Sequence, residues 1–290
     1  MRRVAILGAN GFIGSSLVKT FEHKGFDVVA FTRTIEKSRF RLARKVDLFD
    51  GESLRTALLE YKPEIVISTA WDTAPGKFWT SVENERYQEA TLNFAELSIK
   101  SGAKTFIGLG TVSEYGASPG KCDAAHSRLV ATDVYSKNKI ETGVKLKELG
   151  EFHGVKTHWA RIFQAFGPNE KIERLVPALI SNLRKGNEFS ISTPNYILDW
   201  IHVSDIADAI YFMIEKELDH FTDIGTGLAT SVLEFSMLLC KELGFDMDLL
   251  DFSNQTPGHE KVAFVDQSSE LLMKGWEPAQ TLATRVHELY

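Results

Sequence analysis

Val4-Ala5-Ile6-Leu7-Gly8-Ala9-Asn10-Gly11-Phe12-Ile13-Gly14 runs four apolar residues into a glycine-rich turn and then into an amphipathic stretch reaching Lys24. An apolar run without polar alternation predicts a strand buried on both faces. A strand that turns through glycines into a helix builds a cradle for phosphate. Gly8 permits the tight turn, Gly11 lets the backbone approach a pyrophosphate, and Gly14 lets the helix pack closely. Asn10 stands in the turn, and Phe12 and Ile13 open a helix whose N-terminus offers amide donors and a favourable dipole. The spacing is GxxGxxG rather than GxGxxG, and its context predicts a dinucleotide site.

Outward from this turn, strands are predicted at 4–7, 27–32, 46–48, 65–69, 105–109 and 157–163, with helices at 12–24, 52–61, 81–101 and 132–153. Strands alternating with helices imply parallel βαβ units. The fold class is therefore α/β: a doubly wound parallel Rossmann sheet with a smaller, partly interleaved C-terminal substrate lobe. The rhythm loosens after Pro168, with helices at 172–185, 204–218 and 231–243 and strands at 188–192 and 200–203. The expected division is 1–166 for cofactor and 167–290 for substrate, with part of 199–225 returning to the first domain.

Bulk properties fit this reading. Of 290 residues, 43% are apolar and 25% charged, too hydrophobic overall for disorder. A net charge of −6 argues against nucleic acid as a partner. Cys122 and Cys240 are expected to be two free thiols. The eight histidines show no ligand spacing, so no metal is expected. No segment reaches about 18 uninterrupted apolar residues, and the expected location is cytoplasmic, away from membranes.

At the end of the second predicted strand stand Ala30-Phe31-Thr32-Arg33, without the acid that would bond the 2′-hydroxyl of NAD. Arg33, Lys37, Arg39, Arg41, Arg44 and Lys45 follow against Glu36 alone. A solvated basic loop is one reading. Its position next to the dinucleotide favours NADP(H) over NAD(H), with Thr32 and Arg33 at the 2′-phosphate.

Tyr135-Ser136-Lys137-Asn138-Lys139 is the one YxxxK in the chain. On a helix, positions i and i+4 share a face, so the ammonium stands near the phenol and should lower its pKa, making it a usable acid and base.

With Asp47-Leu48, Ala70, Gly110-Thr111-Val112-Ser113-Glu114-Tyr115-Gly116, Arg161 to Pro168, Asp199 to Asp205, Ile224 to Gly227 and Gly275 to Pro278 in order, the chain resembles the extended short-chain dehydrogenase/reductase superfamily. The likeness is to its nucleotide-sugar epimerase/dehydratase/reductase branch. It implies a catalytic trio of Thr111, Tyr135 and Lys139, with Lys139 also on the nicotinamide ribose. Asp47 and Leu48 would contact adenine, Thr69, Ala70 and Trp71 would line the cofactor after the fourth strand, and Phe163 would meet the carboxamide through backbone groups. Ser113, Gln164 and Arg174 would contact a nucleotide-sugar substrate. A homodimer built from the helices at 81–101 and 132–153 is also implied.

Departures from the family pattern narrow this. Dehydratases of this branch carry an acid pair directly after the catalytic Thr, where Val112 and Ser113 stand here. Glu114 is one residue further on, which on a strand would turn it to the opposite face. Leu198 stands where an Arg commonly clamps pyrophosphate, and 254–259 lacks a second such Arg. Arg174, on a helix over the cleft, is the expected substitute. The resemblance points to a reductase of a nucleotide-linked 4-keto-6-deoxyhexose. A 4-epimerase with bound NAD and a non-catalytic NADP-binding regulator are the alternatives, the last opposed by the retained Tyr135 and Lys139.

Overall fold

A computed structural model describes residues 1–35, 40–255 and 261–289. Its first strand, β1 (Arg3–Leu7), turns Val4 and Ile6 to one side and Ala5 and Leu7 to the other, and each side meets its own core. There follow α1 (Phe12–His23), β2 (Asp27–Thr32), β3 (Ala43–Lys45), α2 (Gly51–Tyr61), β4 (Ile65–Ser68), α3 (Glu83–Lys100), β5 (Thr105–Thr111), β6 (Gly120–Cys122), α4 (Val134–His153), β7 (Lys156–Ile162) and β8 (Gln164–Phe166). The second half adds α5 (Leu175–Leu183), β9 (Phe189–Ser190), β10 (Ile197–His202), α6 (Val203–Glu215), β11 (Phe221–Ile224), β12 (Ala229–Ser231), α7 (Val232–Leu243), β13 (Leu250–Asp251), β14 (Val262–Val265), α8 (Glu270–Met273) and α9 (Leu282–Val286).

Seven strands form the main sheet in the order β11-β7-β5-β4-β1-β2-β3, every neighbouring pair parallel. Leu17, Val18 and Phe21 of α1 and Ile206 and Ile210 of α6 bury one face. Leu54 and Leu58 of α2, Phe94 of α3 and Leu146 of α4 bury the other. The chain leaves β1 in one direction for β2 and β3, and then crosses over to β4. The crevice between the C-terminal ends of β1 and β4 is thus the switch point where such sheets bind ligands.

A second sheet, β12-β10-β14-β6 with β8 also paired to β10, supports a separate core built around Phe166, Leu179, Trp200 and Phe235. Asp199 of β10, with no exposed surface, locks the two sheets together. It accepts from Thr226 N (2.8 Å) and Oγ1 (2.7 Å), from Gly227 N (2.8 Å) just past β11, and from Val265 N (3.2 Å) of β14. Cys122 and Cys240 are both buried and free. Among the described residues no helix is long and apolar enough to cross a membrane.

Several predicted bounds are shifted, such as the strand expected at 200–203, which lies at Ile197–His202, and two of the shifts have a clear cause. The third strand lies at Ala43–Lys45 rather than 46–48, because the ladder with β2 ends at Lys45 while Val46 and Leu48 serve the core without pairing as a strand. Helix α5 begins at Leu175, not at 172: Arg174 is extended (φ −80, ψ 155), and Pro177 falls in the first turn, where its missing N–H is not needed.

Trp159 of β7 is 1% exposed and lies in a slot floored by glycine. A Cβ at Gly108 or Gly110 of β5, or at Gly143 of α4, would come within 2.5, 2.5 and 2.8 Å of its indole. Alanine in a helix is normally better than glycine by about 0.5–1 kcal/mol. Here the sign should reverse: Gly143→Ala is expected to destabilise by about 1–3 kcal/mol through overpacking, read as a lower midpoint in denaturant melts. An unchanged or higher midpoint would show that the slot can widen.

Candidate active site

The turn after β1 sits at the switch point, its Gly8 N bonded to Phe31 O (3.1 Å) and Thr69 N to Leu7 O (2.9 Å). Gly8 has φ +82, and a Cβ there would meet Thr69 Oγ1 at 2.5 Å; a Cβ at Gly14 would meet Gly8 O at 2.3 Å. Helix α2 is capped by Asp50 and α4 by Asp133, whereas α1 starts at Gly11 with no side-chain cap. The first amides of α1, at Phe12, Ile13 and Gly14, are therefore left without a capping side chain to satisfy them. That is the cradle a pyrophosphate needs, so the residues present fit a dinucleotide.

Asn10 Nδ2 reaches from this turn to Thr32 Oγ1 (2.6 Å) and Thr34 O (3.1 Å), fixing the end of β2. Arg33 is exposed there and makes no ion pair among the described residues. Two other members of the basic cluster are less available than the sequence suggests: Arg41 pairs with Asp27 and Arg44 with Glu60, both at 2.8 Å. Lys37 and Arg39 lie outside the described residues, as do 256–259 of the segment without its arginine. Leu48 is buried, and Asp47 Oδ1 accepts from Phe49 N (3.0 Å).

Thr111 ends β5 and caps a 3₁₀ turn, Val112–Tyr115. Its Oγ1 accepts from Ser113 N (3.3 Å), which leaves the hydroxyl proton free to be donated, and it is within hydrogen-bonding reach of the Tyr135 phenol. Tyr135 stands in the first turn of α4 and Lys139 one turn on, 7% and 4% exposed. Lys139 Nζ donates to Leu109 O (2.8 Å) and lies 3.7 Å from the centroid of the Trp71 ring, but 5.7 Å from that of Tyr135. Burial pushes the ammonium down to about 7, with Glu114 opposing.

The phenol does not behave as the YxxxK spacing suggests. Burial pushes Tyr135 upward, and the hydrogen bond with Thr111 only partly opposes it. The ammonium has turned to Leu109 and Trp71, so its field does not compensate for the loss of water around the hydroxyl.

Aromatic rings cover the pair. Trp71, anchored by Nε1 to Asn84 Oδ1 (2.8 Å), stacks on Tyr87. Phe78 and Trp79 meet the Tyr135 ring edge-on, with centroids at 4.8 and 5.6 Å. Thr69 and Ala70 join β4 to this cover. Sequence reasoning named Trp71 but missed Phe78 and Trp79; the signal was a Phe-Trp pair in an otherwise polar stretch.

Glu114 is not on a strand but in the 3₁₀ turn, fully buried, and it accepts from Thr111 N (2.9 Å), Trp159 Nε1 (3.0 Å) and Arg161 Nε (2.7 Å). Phe163 is 4% exposed and its N–H is taken by Ile224 O (3.1 Å), leaving its carbonyl for other partners. Ser113 is half-buried beside Thr111, and Gln164 lies on β8 opposite Trp200. Arg174 precedes α5 rather than riding on it, close enough to act on the charge of Tyr135. Leu198 lies on β10 at 8% exposure and brings no charge to the site. Among the described residues no group of His, Cys, Asp and Glu could hold a metal ion.

Residues 4–225 match the family described as NAD dependent epimerase/dehydratase. The chain is 25% identical over 318 residues to a GDP-L-fucose synthase of Sinorhizobium fredii, covering 100% of this chain and 94% of that protein. It is 26% identical over 306 residues to a dTDP-6-deoxy-L-talose 4-dehydrogenase (NAD(P)(+)) of Kitasatospora kifunensis, covering 99% and 94%. A crystal structure of UDP-glucose 4-epimerase from Thermotoga maritima, determined with UDP-glucose, shares the fold with a TM-score of 0.85 at 23% identity, over 98% of this chain and 96% of that one. With a phosphate cradle at the switch point and a match over most of its length, the chain belongs to the NAD dependent epimerase/dehydratase family, as an oxidoreductase-type enzyme working with a nicotinamide cofactor.

Proposed function

We propose that the protein reduces the 4-keto group of a nucleotide-linked 6-deoxyhexose, with NADPH preferred over NADH. The observation that carries this reading is the neighbourhood of Thr111. Val112 and Ser113 offer no acid, and Glu114 is committed to three donors inside the core, so no carboxyl is free there to remove water from a sugar. A Thr, Tyr and Lys suited to moving a proton at a carbonyl oxygen remain. The two curated relatives, one named a fucose synthase and one a 4-dehydrogenase, support the same reading.

When bound, the nicotinamide supplies the hydride. The hydride would go to C4 of the sugar and a single proton to its oxygen: Thr111 would donate a hydrogen bond that orients this oxygen, while Tyr135 would deliver the proton that makes it a hydroxyl. Lys139 holds the nicotinamide ribose. Arg33 meets the 2′-phosphate, and Ser113, Gln164 and Arg174 contact the nucleotide sugar, Arg174 supplying charge where Leu198 cannot. A nucleotide-sugar 4-epimerase is the second reading, favoured by the fact that Thr111, Tyr135 and Lys139 would serve it equally.

NADPH should bind about ten- to a hundredfold more tightly than NADH, the worth of a charge-assisted phosphate contact, and Arg33→Ala should narrow the gap in a fluorescence titration of both cofactors. Equal affinities in the parent protein would remove Arg33 from the site.

Tyr135→Phe keeps the ring and its aromatic contacts but loses the transferable proton. Turnover should fall by about two to four orders of magnitude while cofactor affinity barely changes. Activity within a few-fold of the parent would assign the acid elsewhere.

The reaction itself is tested by supplying deuterated NADPH with a panel of nucleotide-linked 4-keto-6-deoxyhexoses and weighing the products. A reductase places one deuterium at C4 and oxidises one NADPH per product. Interconversion of 4-epimers, without label and without net NADPH oxidation, would establish the epimerase instead.

A further inference from the structure

Ser68 at the end of β4 and Thr91 in the middle of α3 are polar residues at 4% and 3% exposure. Neither hydroxyl oxygen has a hydrogen-bond partner among the described residues. A buried hydroxyl left this way costs free energy comparable to a lost hydrogen bond, and native interiors rarely tolerate it. Both residues line one small cavity, whose wall also includes Leu109, Lys139, Trp71 and Trp159. The cavity has a volume of about 10 Å³, the room of a single water molecule.

The donors of Lys139 lead to the same place. Its ammonium has three N–H groups. One is bonded to Leu109 O, and the nitrogen otherwise rests against the Trp71 ring, which offers a π face but no lone pair. A further donor therefore remains on a group that lines a cavity bordered by two unpartnered hydroxyls. A water needs two to four polar partners to be held inside a protein, and Ser68, Thr91 and Lys139 supply three.

We infer that this cavity binds one structural water, which accepts from Lys139 Nζ and exchanges hydrogen bonds with Ser68 Oγ and Thr91 Oγ1, making Ser68 and Thr91 positioning residues for the Lys139 ammonium. The water adds a lone pair where the aromatic wall supplies none, and so helps hold the charge that burial opposes. The other charged group acting on Lys139 is Glu114, from the turn after β5; β4 and α3 present only uncharged side chains to the cavity. The role of the ammonium in cofactor binding rests on the function proposed above, whereas the water site does not.

The test begins with a high-resolution crystal structure of the full chain. One ordered water is expected within about 3.2 Å of all three atoms, and it should be missing from a Ser68→Ala/Thr91→Val variant, which keeps side-chain shape and removes both hydroxyls. A dry cavity in the parent protein, or a Thr91 hydroxyl turned back to the carbonyl four residues earlier, overturns the proposal.

The second measurement is NADPH affinity against pH, read by cofactor fluorescence and so independent of which sugar is the substrate. Affinity should weaken as the ammonium titrates. The double variant should show the same loss about one pH unit lower, and Thr91→Ser should retain the parent profile. A variant that melts earlier but keeps the pH profile would reduce the two hydroxyls to packing and refute their positioning role. Should the double variant fail to fold, Ser68→Ala alone, expected to move the profile in the same direction, takes its place. Failure of the sugar assay with the water in place would sink the proposed function and leave this inference standing.

Discussion

A carboxylate without contact with water, Glu114, fixes the geometry on which the site depends. A lone buried charge would be prohibitive, and this one is tolerated because its lone pairs are committed to Thr111 N, Trp159 Nε1 and Arg161 Nε. Arg161 in turn donates to Tyr115 Oη (3.1 Å), and Tyr115 donates to Asp223 of β11 (2.8 Å). The network joins the end of β5 to β7 and β11, three adjacent strands, at the level where Thr111 leaves the sheet. Breaking such a buried pair by removing one partner costs about 3–5 kcal/mol, so the turn that presents Thr111 is held as firmly as the core.

Desolvation runs through the chemistry of the site. It pushes Asp223 up to about 7 beneath the site, and Tyr135 upward and Lys139 downward within it. Tyr135 and Lys139 are thus both moved toward their neutral forms, opposite to the activation a charged pair would give. Trp71, Phe78 and Trp79 pack on the phenol ring, and Trp71 and Trp159 face the ammonium, so aromatic rings take the place of water around both. Ligands that bring polar atoms to the phenol and the ammonium would offset this.

How far the sequence discloses the protein depends on the range of the interactions concerned. The glycine turn and the alternation of strands and helices are local signals, and they are read correctly from neighbouring residues; the YxxxK spacing puts Tyr135 and Lys139 on successive turns of α4 but does not bring the ammonium to the phenol. Failures occur where a distant contact decides. Val46 and Leu48 look like a strand because they are apolar, yet the ladder with β2 closes just before them. Glu114 looks like a residue on the far face of a strand, yet the strand has already ended at Thr111, and Arg161 and Trp159 from β7 determine where its carboxylate goes. Arg174 looks helical, yet the helix starts one residue later. The aromatic cover and the hydroxyls of Ser68 and Thr91 leave no periodic trace at all, because they come together only across β4, α3 and α4.

The glycine-floored slot for Trp159 also constrains how this sequence can change. Gly108, Gly110 and Gly143 come from two different elements, but each is held to hydrogen by the same indole. Replacing the tryptophan first would leave a void, while enlarging a glycine first would drive a side chain into the ring; neither order offers an easy intermediate. The four positions should therefore be inherited as a block, with strong epistasis among them.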